Sequence, residues 1–63
     1  MTKLRITAER LPMMPFSKNA PNMELYRNDY VKARRYGGYW ATTVKRGIWN
    51  YRAYINDGDC EII

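Results

Sequence analysis

An α+β fold is what the sequence predicts: one small globular domain over residues 1–63, with a three- to four-stranded antiparallel sheet and one helix. Three observations predict it. Residues Lys3 to Ala8 alternate polar and apolar side chains, the period of a half-buried strand. Residues 39–55, YWATTVKRGIWNYRAYI, are rich in β-branched and aromatic residues on both sides of Arg46-Gly47, the pattern of a hairpin. Met23, Tyr26, Tyr30 and Ala33 recur at intervals of three and four, which places them on one face of a helix over about 23–36.

In chain order, the first strand sets Leu4, Ile6 and Ala8 on one side and Lys3, Arg5 and Thr7 on the other. Leu11 to Pro21 holds three prolines, which rule out a continuous helix or a central strand there. Met13, Met14 and Phe16 are too apolar for a flexible linker, so this segment reads as an ordered loop folded back on the core. Asn22 can cap the helix and Glu24 suits its positive end, while Arg34 and Arg35 suit the negative end and Gly37 or Gly38 can end it. The helix then packs Met23, Tyr26, Tyr30 and Ala33 on Trp40 and Trp49. The alternative is an all-β meander or small barrel, in which Asn28-Asp29 is a turn between two short strands. Against it, Arg34 and Arg35 break the alternation of Tyr30 to Tyr36.

In the hairpin, Gly47 supplies the positive φ of a tight connection. Pairing Val44 with Trp49 sets Thr42 opposite Tyr51 and Trp40 opposite Ala53. Trp40, Val44, Trp49, Tyr51, Ala53 and Ile55 then form the inner face. Tyr39, Thr43, Lys45, Asn50, Arg52 and Tyr54 form the outer one. Asn56-Asp57-Gly58 is a turn signal, and Cys60 to Ile63 returns as a short last strand.

Composition narrows the function classes. A chain this short buries only about 60% of its unfolded surface, and its core supplies roughly 3–5 kcal/mol. Its apolar content of 46% nevertheless argues for a globular fold over disorder. No run approaches the roughly 18 apolar residues of a membrane span, and Met1 to Arg10 lacks the apolar centre of a signal peptide. No membrane association is expected, and the compartment is the cytoplasm. Cys60 is the only cysteine and there is no His, so neither a disulfide nor a structural zinc set is expected. Cys60 reads as a half-buried small hydrophobe, because a catalytic thiol would lack a base.

No catalytic residues, metal or cofactor are assigned. Ser17 is the only serine, no phosphate-binding glycine loop is present, and so small a domain rarely encloses a pocket for paired carboxylates. The alternating Asp57, Asp59 and Glu61 have half the length of a calcium loop and read as a solvated turn.

Charge is more informative. Eleven Lys and Arg stand against six acids, and from Tyr30 to Asn56 there are six basic residues and no acid. That distribution suits a polyanion. Small sheets can read duplex grooves with Arg, Lys, Asn and Thr, and basic surfaces with exposed aromatic rings bind single strands. The candidate nucleic-acid-binding residues are therefore Lys32, Arg34, Arg35, Tyr39, Thr43, Lys45, Arg46, Asn50, Arg52 and Tyr54. The expected function is a small non-catalytic nucleic-acid-binding protein, DNA ahead of RNA, monomeric or a weak homodimer through an open sheet edge. The alternative is a small inhibitor or adaptor whose basic, Tyr-rich face binds an acidic surface of another protein.

Overall fold

Alternation, and not the helical period, governs residues 24–36. In the computed structural model, which describes residues 1–63, 62% of the residues are in strands and no helix reaches seven residues. The strands are β1 (Thr2–Ile6), β2 (Arg10–Pro12), β3 (Met14–Pro15), β4 (Glu24–Tyr26), β5 (Tyr30–Tyr36), β6 (Tyr39–Arg46), β7 (Trp49–Asn56) and β8 (Cys60–Ile62), with a 3₁₀ turn at Asp57–Asp59. The molecule is a small antiparallel sheet domain, so the α+β expectation, with its helix over 23–36, is corrected.

The correction has a local cause. Asn and Asp compete with a helix by bonding nearby backbone, and Asp29 does so: its Oδ2 accepts from the Tyr26 N–H at 2.7 Å. The Asp29 N–H in turn donates to the Tyr26 carbonyl. Between them Asn28 has φ +75°, the conformation that a type II turn requires at its third residue and that a right-handed helix forbids. Beyond the turn, Val31 and Ala33 point inward while Tyr30, Lys32, Arg34 and Tyr36 are exposed. Arg35 is exposed as well, but it keeps the alternation of direction. It takes the next inward position, where its guanidinium lies 5.0 Å from the Trp40 ring centroid.

The main sheet has the order β3-β7-β6-β5-β1-β8, and β2 and β4 form a separate ribbon. Every pairing is antiparallel. β5 divides itself between two partners, pairing with β1 through residues 30–33 and with β6 through residues 34–36. Leu4, Ile6 and Val31 from one half share a single apolar cluster with Trp40, Val44, Tyr51 and Ile55 from the other. The sheet therefore folds over one core. Leu11 and Leu25, opposite each other in the β2–β4 ribbon, join that cluster. Tyr51 is fully buried, and its hydroxyl donates to the Pro21 carbonyl at 2.6 Å, tying down the proline-rich loop.

Within that loop Met13 is buried as expected, but Met14 and Phe16 are exposed. The short edge strand β3 sets Met14 opposite Arg52, on the side away from the core. Met23 and Ala33 reach the core, whereas Tyr26 and Tyr30 face solvent.

The hairpin closes more tightly than expected. Only Gly47 and Ile48 separate the paired Arg46 and Trp49, and Gly47 has φ +62°, as in the primed hairpin turn with Gly at its first central position. Val44 therefore lies opposite Tyr51, Thr42 opposite Ala53 and Trp40 opposite Ile55. A slip of two residues moves each partner but returns each side chain to the same face. No helix of the chain is long and apolar enough to cross a membrane.

Candidate nucleic-acid interface

Because successive strand residues point to opposite faces, the tight β6–β7 turn determines what stands together on the outer side. One row across the sheet reads Tyr36, Tyr39 and Asn56. The next reads Arg34, Ala41 and Tyr54, followed by Thr43 with Arg52 and Lys45 with Asn50. β1 extends the face by placing Lys3 opposite Lys32 and Arg5 opposite Tyr30. Like charges directly opposite each other are destabilising. The ammonium of Lys3 lies 5.3 Å from the Tyr30 ring centroid, which offsets part of that repulsion.

The β5–β6 ladder ends at Arg34 and Ala41. Past that point the Thr42 hydroxyl donates to the Lys32 carbonyl at 2.7 Å, satisfying an acceptor the ladder no longer serves. The two strands part there, and a groove of about 320 Å³ opens, with Tyr30, Lys32, Thr43, Lys45 and Arg46 along it. A smaller depression of about 180 Å³ lies beside it, with Ala41 at its floor and Arg34, Tyr36, Thr43 and Arg52 around it. Ala41 is only 7% exposed although it faces outward, because a methyl group sits low among long neighbours. No carboxylate lines either hollow.

Aromatic rings occupy the next part of the face. Tyr36 and Tyr39 stack with ring centroids 6.2 Å apart, and Tyr54 meets Tyr39 edge-on at 5.6 Å. All three remain roughly half exposed, at 49%, 41% and 48%. On the far side, Arg52 places its guanidinium carbon 5.8 Å from the exposed Phe16 ring centroid. Its Nε is buried and makes no hydrogen bond to the protein.

The acids lie elsewhere. Glu61 accepts from Arg5 at the β8 edge, Glu24 is 3.9 Å from Arg10, and Asp57 pairs with Arg35. These three are the chain's ion pairs, so Lys32, Arg34, Lys45, Arg46 and Arg52 have no acidic partner. At Asp57 the hydrogen bond from Arg35, followed by one from the Trp40 indole at 3.1 Å, holds the carboxyl below its ordinary range. The same hydrogen bond raises the Arg35 guanidinium. Burial first, then the Asp57 and Asp59 charges, pushes the Cys60 thiol up, so it stays protonated at neutral pH.

Of the ten residues singled out from the sequence, Lys32, Arg34, Tyr39, Thr43, Lys45, Asn50, Arg52 and Tyr54 share the outer face. Arg46 sits at the hairpin tip on the opposite alternation and still lines the groove. Arg35 stands apart, bonded to Asp57 and to the Gly37 carbonyl at 2.8 Å. Lys3, Tyr30 and Tyr36 join the face without having been singled out. Strict alternation outward from Val31 and Ala33 finds the two tyrosines, whereas a helical period turns Tyr30 inward. Compared with protein-family models, with curated proteins and with solved structures, the chain matches none, so the reading of this face rests on its own geometry.

Proposed function

We propose that the chain is a small non-catalytic nucleic-acid-binding protein, acting on DNA ahead of RNA, that binds through the outer face of β5, β6 and β7. One observation carries this reading: five cations without acidic partners line two adjoining hollows among exposed tyrosines, and no carboxylate lines either hollow. Folding alone gains nothing from such crowding, since like charges repel. A phosphate backbone turns that repulsion into binding by releasing its condensed counterions. The free thiol of Cys60 suits a reducing compartment, and we place the protein in the cytoplasm.

Anisotropy titration of labelled mixed-sequence DNA and RNA at two salt concentrations tests the proposal. Affinity should fall steeply as salt rises. Lys45→Ala and Arg52→Ala should each weaken binding, and removing a cation that touches phosphate should lower the salt slope by about one unit. Lys45→Ala should melt within about 0.5 kcal/mol of the parent in stability, as surface substitutions do, whereas Arg52→Ala should also lose the packing of a half-buried side chain near Phe16. Absence of salt-dependent binding to either polymer near physiological ionic strength would sink the proposal. The second reading, an inhibitor or adaptor on an acidic protein surface, is favoured by exposed Met14 and Phe16 beside Arg52; aromatic and Met side chains next to Arg are common at protein interfaces.

A further inference from the structure

The geometry points to an unpaired strand as the ligand of this face: we infer that it takes single-stranded nucleic acid in preference to duplex, with a base stacked against Tyr39 and Tyr54 and its phosphate at Arg34 and Arg52. This rests on the nucleic-acid-binding reading and specifies which form is bound.

Shape separates the two forms first. An element that reads a duplex groove has to protrude into it. Here β6 and β7 are the middle of the sheet, flanked by β5 and β3. β5 leaves β6 after Ala41, so beyond that point the hairpin projects with Lys45, Arg46 and Asn50 toward a tip where Ile48 is 81% exposed and apolar. Arg34, on β5, and Arg52, beside β3, stand by contrast on the flanked part, where they can meet duplex phosphates but not base edges.

The tyrosines favour the same form. Their rings are set among the cations of the face and pack on one another, leaving about half of each in water. In a duplex both faces of every base are already stacked, so such rings find no partner there. An unpaired base can stack on them whatever its identity. The open hollow lined by Tyr39, Tyr54 and Asn56, about 370 Å³, has room for a base against these rings, though not between them, since they meet edge-on at 5.6 Å. The Asn56 carboxamide offers both a donor and an acceptor to a base edge.

Spacing agrees with shape. A base and its phosphate are joined through one sugar, so a stacking ring and a cation have to stand side by side. Tyr39 and Ala41 are two residues apart on one strand, a step of about 7 Å. Ala41 floors the depression that Arg34 and Arg52 flank, and Tyr54 lies directly opposite Ala41. The small residue leaves the depression open.

The test compares one labelled oligonucleotide as a free strand and annealed to its complement. The parent should bind the free strand at least ~10-fold more tightly, and Tyr39→Ala and Tyr54→Ala should each remove ~10-fold of that affinity while moving duplex binding by no more than about twofold. Tyr39→Phe, which keeps the ring, should bind the free strand like the parent. Equal or tighter duplex binding by the parent overturns the inference, and so does unchanged single-strand binding in both alanine variants. Either result leaves the broader reading standing. Loss of salt-dependent binding to both forms in the parent defeats the two together. The comparison on the parent needs no variant, so it decides the matter even where an alanine variant fails to fold.

Discussion

Arg35 and Arg52 show how two arginines of one small domain come to serve different ends. Charge alone groups both with the binding residues, since it does not say which way a side chain points. Arg35 falls on the inward alternation at the end of β5, and three partners hold it there: the Trp40 ring, the Gly37 carbonyl and Asp57. Its charge serves folding. Arg52 falls on the outward alternation, against Phe16, with no acid near it. The Arg35–Asp57 pair makes a pH-dependent prediction. Because the folded-state carboxyl is held below its ordinary value, its contribution is present above the unfolded value of about 3.9 and is lost as the pH falls through the folded one. Asp57→Asn should therefore melt below the parent at pH 7, and the gap should close in strongly acidic solution. A gap that stayed constant with pH would mean that the charge of Asp57 contributes nothing to stability.

At the scale of elements, the hairpin was legible and the segment before it was not. The faces of β6 and β7 follow from alternation, and they survive a two-residue error in register because the side-chain period is two. Residues 23–36 carry a helical spacing and plausible caps, yet the outcome turns on a turn at Asn28-Asp29, where Asn28 takes a positive φ and Asp29 bonds Tyr26, and on Arg35 packing against an indole. The turn is the one the all-β alternative placed at Asn28-Asp29, whereas the packing of Arg35 has no signature in the local sequence. The exposure of Met14 and Phe16 is hidden for a similar reason, since nothing nearby indicates that β3 lies along β7. The tight turn offers its own test. An L-residue at Gly47 would have to adopt φ +62°, although nothing lies within 4 Å of a Cβ built there. Gly47→Ala should thus cost about 1–2 kcal/mol from backbone conformation alone. In urea this should appear as a lower midpoint with an unchanged slope. A chemically made chain with D-alanine there should lose nothing and gain roughly 0.4–1 kcal/mol, because the unfolded chain is restricted. If both enantiomers destabilise equally, the turn is not the one described.

In the whole molecule, topology sorts charge. The acid-free run from Tyr30 to Asn56 can be read directly from the sequence, but the side on which its cations gather cannot. That requires β5 to join β6, β1 to bring Lys3 opposite Lys32, and three of the six acids, Glu61, Glu24 and Asp57, to be drawn into pairs at the β8 edge, the ribbon and the 3₁₀ turn. The result is one basic, tyrosine-bearing face on a domain whose extents are 31 × 22 × 16 Å. Backbone amide shift mapping during titration of the isotope-labelled chain with a single-stranded oligonucleotide tests this most directly. The largest changes should fall on β5, β6 and β7 around Lys32, Arg34, Thr43, Lys45 and Arg52, with the β2–β4 ribbon and Asp57–Asp59 left nearly unmoved. Changes centred on the ribbon or on that acidic turn, or spread evenly over the chain, would contradict it.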